Sequence, residues 1–432
     1  MLRILFAVLL ALAACRAQAD ECLVGAYRLG DASLDIAPSD GGLRWRHVEG
    51  ATGLLVADGA GGWTSLEGWT GRPDGHRIEF AGCAQGELRF DGVAARRIPL
   101  RVTETAFAGR DGVSLAGRLL MPEGEAVVPL VVLIHGAENL SARRWDFMQR
   151  QLPAEGVAAF VYDKRGTGES GGQYTQDYDV LADDAVAALA EARRLGGARI
   201  GRSGFRGGSQ GGWVAPLAAT RTSADFVIAA YGLAVSPVEE DREAVILQMQ
   251  LKGHGADVIE SALEIVDAAA EVARSRFTAG IDAFDAVRAR YRDEPWYDDV
   301  HGNFTHLLLP HYGEALRREG QAYNFGTPWD YDAMAVLRGL RTPQLWQLAE
   351  ADIDAPMGET FRRLRRLVRE QDAPVGIAVF PGAEHGMTLF ETAADGSRTS
   401  LRYPAGYTRM TVDFAKGRLA GDYGDARLYL PD

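Results

Sequence analysis

Residues 207–213 read GGSQGGW, and they follow ARIGRSGFR (198–206), a run whose Ile and Phe suit a strand. Glycine gives up more conformational freedom on folding than any other residue, so four of them around one serine need a structural cause. Gly207, Gly208, Ser209, Gln210 and Gly211 fit the pattern G-x-S-x-G, and WVAPLAATR (213–221) continues with helical composition. In a strand–turn–helix setting this pattern makes a sharp elbow. Strand and helix pass too closely there for neighbouring Cβ atoms, and the serine hydroxyl stands clear of the backbone. The helix start supplies unpaired N–H groups and a positive dipole end.

A serine hydroxyl is a poor nucleophile unless a base takes its proton and an acid orients that base. Of eight histidines, His385 stands in VFPGAEHGMTLF (379–390), a polar, glycine-containing loop after the last apolar run. The loop after the preceding run, LAEADIDAP (348–356), offers Glu350, Asp352 and Asp354 as the acid. The chain order Ser, Asp, His is one of the orders in which such triads occur.

The rest of the chain supplies a scaffold. VPLVVLIHG (128–136), VAAFVYDKRG (157–166), ADFVIAAYG (224–232), TPQLWQLAE (342–350) and PVGIAVFPG (374–382) are continuous apolar runs. Such runs suit central strands of a parallel sheet buried on both faces. Between the first two, SARRWDFMQRQLPAEG (141–156) has helical periodicity; after them DVLADDAVAALAEARRL (179–195) predicts a long amphipathic helix. The alternation predicts an α/β fold with a doubly wound, mostly parallel sheet. From about 236 to 340 only helical patterns occur, read as a cap inserted above the sheet. It contains His301, His306 and His311, whose spacing of five does not put them on one helical face. No carboxylate or cysteine pattern completes a metal site around them, and neither metal nor cofactor is expected.

Residues 20–100 differ: short apolar alternations broken by Gly and Asp predict a small β-rich module. Trp45, Trp63 and Trp69 are read as its aromatic core, with a sugar-binding face as the alternative.

From about 102 onward, VVLIHG, YDKRGTGES, GGSQGGWVAP, AEADIDAP and PGAEHGM together resemble the α/β-hydrolase superfamily. The likeness is to bacterial exported serine hydrolases related to dienelactone hydrolases and prolyl-oligopeptidase-type catalytic domains. It implies a catalytic domain over 101–432 with Ser209 as nucleophile, His385 as general base and Asp352 as orienting acid, Asp354 being the alternative. It also implies an oxyanion hole from the backbone N–H groups of Ala137 and Gln210. His135, Asp163, Arg165 and Gly166 are read as structural. The expected function is cleavage of carboxylic esters through an acyl-enzyme. The alternatives are a peptidase or aminopeptidase-like amide hydrolase, and a non-catalytic binding protein on the same fold. Glu239, Glu240 and Asp241 in the cap could hold a substrate amine or form a solvated helix start. One residue departs from the pattern: Arg206, three before the serine, where an apolar side chain is usual. It calls for a buried carboxylate partner, or else reads an anionic group of the substrate.

The first 19 residues have the layout of a secretory signal peptide: Arg3, an apolar run from Ile4 to Ala14, and Ala17-Gln18-Ala19 before Asp20. Leu12-Ala13-Ala14-Cys15 alternatively resembles a lipobox, which would leave a lipid anchor at Cys15. Export, to periplasm or medium, is expected. Cys22 and Cys83 then remain as an even pair outside the reducing cytosol, and a disulfide between them is predicted. The net charge of −13 argues against nucleic acid and anionic lipid surfaces as partners. A small-molecule ester or short peptide-like substrate is expected instead.

Overall fold

The computed structural model describes residues 21–431 apart from 60 and 84, so the signal-peptide and Cys15 readings lie outside it. Eight antiparallel strands, from Gly25–Leu29 to Val93–Arg97, close into a barrel. Alternation puts Leu34, Ile36, Leu55, Ile78 and Leu88 inside, as expected of strands with one solvated face. Trp45 is core, its indole N–H donating to Ser65 Oγ at 2.7 Å. Trp69 corrects the aromatic-core reading: it is 42% exposed. The Arg44 guanidinium lies 4.0 Å over its ring, and Tyr403 from the far end of the chain meets it edge-on. Cys22 and Cys83 are joined as a disulfide, with Cα atoms 5.4 Å apart.

The remainder is built on a nine-stranded sheet. In chain order its strands are β1 (Leu100–Ala108), β2 (Ser114–Pro122), β3 (Val128–Ile134), β4 (Ala158–Tyr162) and β5 (Ile200–Gly208). They continue with β6 (Phe226–Ala230), β7 (Gln344–Ala349), β8 (Val375–Phe380) and β9 (Arg427–Tyr429). Across the sheet the order is β1-β2-β4-β3-β5-β6-β7-β8-β9. From β4 to β8 all pairings are parallel, while β1, β2 and β9 run antiparallel. The apolar runs are the central strands because both faces are covered: Val131, Val132 and Leu133 face opposite ways and all are buried. The chain leaves β3 toward β4 and then returns past it to β5. A crevice therefore opens beyond the carboxyl ends of β3 and β5, where ligands bind in open α/β sheets.

Helix Tyr178–Gly196 covers one face; the Asp177 carboxylate caps it by accepting from the Asp179 and Val180 amides. The predicted helix over 141–156 is two short ones, Ala142–Trp145 and Met148–Ala154. Asp146 adopts extended backbone between them, and its carboxylate accepts from the Met148 N–H at 2.9 Å. The regular elements of residues 237–339 are helices, from Pro237–Leu251 to Ala333–Gly339, with a core of their own around Val245, Met249, Ile265 and Phe284. Ser236 opens this insertion with a capping box to Glu239.

The barrel is anchored on the sheet domain by a buried ion pair. Arg150 Nε donates to Asp35 Oδ1 at 2.5 Å, and Arg46 lies 3.7 Å from the other carboxylate oxygen.

Candidate active site

β5 ends at Gly208 and a helix begins at Gly211, leaving Ser209 at the corner with φ of +51°. Few non-glycine residues occupy that left-handed region. The flanking glycines serve close approach: a Cβ on Gly212 would lie 2.6 Å from Gly232 Cα, and one on Gly211 2.6 Å from the Ile134 carbonyl oxygen. Either clash would push the helix off the sheet.

The three residues predicted as a triad meet beyond the strand ends. His385 Nε2 lies 3.0 Å from Ser209 Oγ, and His385 Nδ1 lies 2.9 Å from Asp352 Oδ2. Asp352 is buried, and its other oxygen accepts from the Asp354 and Ala355 amides at 3.0 and 2.8 Å. Asp354 itself lines the cavity over Ser209 rather than touching the imidazole. A carboxylate at Nδ1 fixes the proton there and leaves Nε2 to accept from the serine hydroxyl. Burial alone would lower the His385 pKa, but the Asp352 charge and hydrogen bond outweigh it and raise the imidazole to about 9.

The Ala137 and Gln210 N–H groups donate to no protein acceptor among the described residues. Ala137 is held from both sides: Lys164 Nζ donates at 2.7 Å to the Gly136 carbonyl of the peptide that carries the Ala137 N–H, and the Tyr174 hydroxyl donates to the Ala137 carbonyl of the next peptide. Lys164 also sits 4.7 Å over the Tyr174 ring, and its burial lowers the ammonium pKa to about 8. Sequence reading missed this pair. Lys164 falls inside YDKRG, whose neighbours proved to be scaffold. The Asp163 carboxylate accepts from the Ser141 hydroxyl and the Glu169 amide, and Arg165 makes a bidentate pair with Asp184. His135 accepts from the Lys164 amide at 3.2 Å through Nε2. Burial and the Lys164 charge push it down to about 3, so it is a neutral hydrogen-bonding group.

A cavity of about 320 Å³ lies over Ser209, His385, Ala137 and Gln210. Aromatic side chains dominate its wall, including Trp213 below and Phe304 and Trp329 from the cap. The acidic run at 239–241 divides three ways. Glu239 pairs with Arg363, while Asp241 is fully buried and accepts from Thr305 and the Phe304 amide. Glu240 faces the cavity with no hydrogen bond or ion pair among the described residues. Burial, partly offset by His385, pushes its carboxyl up to about 8. In the cap, the His301 and His306 rings stack with centroids 4.2 Å apart, while His311 pairs with Glu319.

The expected carboxylate partner of Arg206 is not formed. Its Nη2 donates to the Tyr407 hydroxyl, its Nε has no partner, and no described carboxylate makes an ion pair with it. The residue is nonetheless only 6% exposed.

Sheet order, elbow and helical insertion together define the class: the chain has the α/β-hydrolase fold. Residues 88–278 match the family model described as esterase FrsA-like. An esterase FrsA of Enterobacter sp. (strain 638) is 30% identical over 184 residues, covering 42% of this chain and 43% of that protein. The esterase FrsA of Salmonella paratyphi B is 28% identical over 185 residues, with the same coverage. The chain thus spans less than half the length of these relatives. Among solved structures, a Pyrococcus furiosus esterase aligns over 66% of this chain and 83% of its own, at 15% identity and a TM-score of 0.42. A bacterial brefeldin A esterase aligns over 67% of this chain and 70% of its own, at 21% identity and a TM-score of 0.40. No described helix is long and apolar enough to cross a membrane.

Proposed function

We propose that this protein is an exported serine hydrolase that cleaves small carboxylic esters through an acyl-enzyme. Ser209 Oγ attacks the ester carbonyl while His385 Nε2 takes its proton, and Asp352 stabilises the imidazolium that forms. The Ala137 and Gln210 amides receive the developing oxyanion, a contribution of about 2.7–4 kcal/mol per donor. His385 then returns the proton to the leaving alcohol, and water repeats the sequence on the acyl-enzyme. The observation that carries this reading is the 3.0 Å contact between Ser209 Oγ and His385 Nε2. The name of the FrsA relatives and their family model supports ester rather than amide substrates.

Fluorophosphonate labelling tests it: wild type is expected to label at Ser209, with Ser209→Ala and His385→Ala unlabelled. An unlabelled wild type would overturn the reading in favour of a binding protein on this fold. Amide hydrolysis is the second reading, because unpaired Glu240 beside His385 suits a substrate amine. An aminoacyl-amide panel run beside the esters separates the two.

A further inference from the structure

A second cavity, of about 240 Å³, adjoins the same centre through Gly136, Gly208 and Gly386, the chain neighbours of Ala137, Ser209 and His385. Arg206 lines it. A guanidinium is charged at any working pH, and burying one without a countercharge is costly unless a ligand supplies it. Here the cation reaches one neutral hydroxyl, that of Tyr407, and its Nε is buried and unpartnered. Two carboxylates share the cavity; neither makes an ion pair with Arg206, although the Asp146 charge acts on it. Asp146 is engaged by the Met148 amide, and Glu138 is half exposed. A second donor waits beside it: the Tyr231 hydroxyl has no hydrogen bond among the described residues. The Tyr231 ring packs edge-on against His385 with centroids 5.2 Å apart. Tyr231 has φ of +40°, a strained value for an aromatic residue that turns its side chain out of β6 toward this centre.

We propose that this cavity takes the free carboxylate of an anionic substrate, the half-ester of a short dicarboxylic acid, with Arg206 as the group that reads it. The proposal rests on ester hydrolysis at Ser209 for its kinetic half only. Arg206 would pair with the distal carboxylate while the ester carbonyl sits at Ser209, and the departing acid would be held the same way.

Two measurements test it. The first is the ratio of kcat/KM for the 4-nitrophenyl monoester of glutarate to that for 4-nitrophenyl pentanoate. Arg206→Met is expected to lower this ratio about tenfold or more, as for loss of a charged hydrogen bond. Asp146→Asn, which removes a competing negative charge and keeps a cap for Met148, is expected to raise it. The second is calorimetric binding of glutarate to Ser209→Ala, with and without Arg206→Met, which needs no turnover. Arg206-dependent glutarate binding sustains the subsite even if no ester is cleaved. Sulfate binding as tightly as glutarate would make it a free-anion site and overturn the substrate reading. Glutarate affinity independent of Arg206, or a ratio unmoved by both substitutions, would overturn the subsite itself. If Arg206→Met fails to fold, Asp146→Asn still decides the direction of the ratio.

Discussion

Of the two cavities near the Ser209–His385 pair, one is lined by those residues and the other only by their chain neighbours, and the two hold opposite kinds of ionisable group. The one beneath the cap is walled largely by aromatic rings and holds the acid Glu240, with Asp354 also on its lining. The other is walled by Trp145, Phe147, Tyr403 and Tyr407, and its unpaired group is the base Arg206. Other buried charges are met in two ways: Asp35 pairs with Arg150 and Arg165 with Asp184, while Arg44 and Lys164 donate to backbone carbonyls. If Ser209 reacts as proposed, Arg206 on one side and Glu240 on the other would separate a shared chemical centre from two regions that discriminate between substrates. Shared residues should then alter all substrates alike, and cavity residues only some.

The largest effect should come from the shared acid. Asp352→Asn is expected to lower kcat by about 10⁴-fold, the loss typical of removing this carboxylate from a triad. The loss should be equal for neutral, anionic and cationic esters; an unequal loss would break the division. The same variant has a pH signature. His385 must be neutral to accept a proton, and Asp352 raises its pKa to about 9, so wild-type kcat/KM should climb with pH up to about 9. Without the carboxylate the residual activity should level off at lower pH.

A smaller uniform effect is expected of Lys164→Met. It frees the peptide that presents the Ala137 N–H without removing the donor, so kcat should fall by up to about 100-fold with KM little changed. A rise in KM confined to one substrate class would make Lys164 part of a cavity instead. Smallest is Glu240→Gln, which should cost about tenfold in kcat/KM on amine-bearing esters and leave neutral ones unchanged. Loss on both classes would show that Glu240 serves the centre, and the contrast between the cavities would blur.

Much of the site was legible because its chemistry is local in sequence. Ser209 announces itself by glycines that permit close approach, and Asp352 and His385 by their place just beyond apolar runs. The parallel core was legible because two-sided burial writes continuous apolar runs. The outer strands β1, β2 and β9 were not, since half-exposed edges such as LRVTETAFA carry weaker patterns. Arg206 raised the right question from sequence, but its answer needed coordinates: Tyr407 is 201 residues away. Glu240, Lys164 and Tyr231 were opaque for the same reason. Nothing in VEEDRE distinguishes the acid that faces the cavity from the two engaged by Arg363 and Thr305. Trp69 misled because composition reports how many large rings a module has, not which side of its wall they occupy.

The outward placement of Trp69 has a consequence for how this protein could diverge. Its amide donates to the Ser400 carbonyl, its ring meets Tyr403, and Arg46 of the barrel lies over Phe147. Tyr403 and Phe147 are in turn walls of the Arg206 cavity. The barrel therefore acts as a mould pressed against one wall of the Arg206 cavity. If that cavity reads substrate charge as proposed, substitutions on the barrel's surface would reshape selectivity while Ser209, Asp352 and His385 stay fixed.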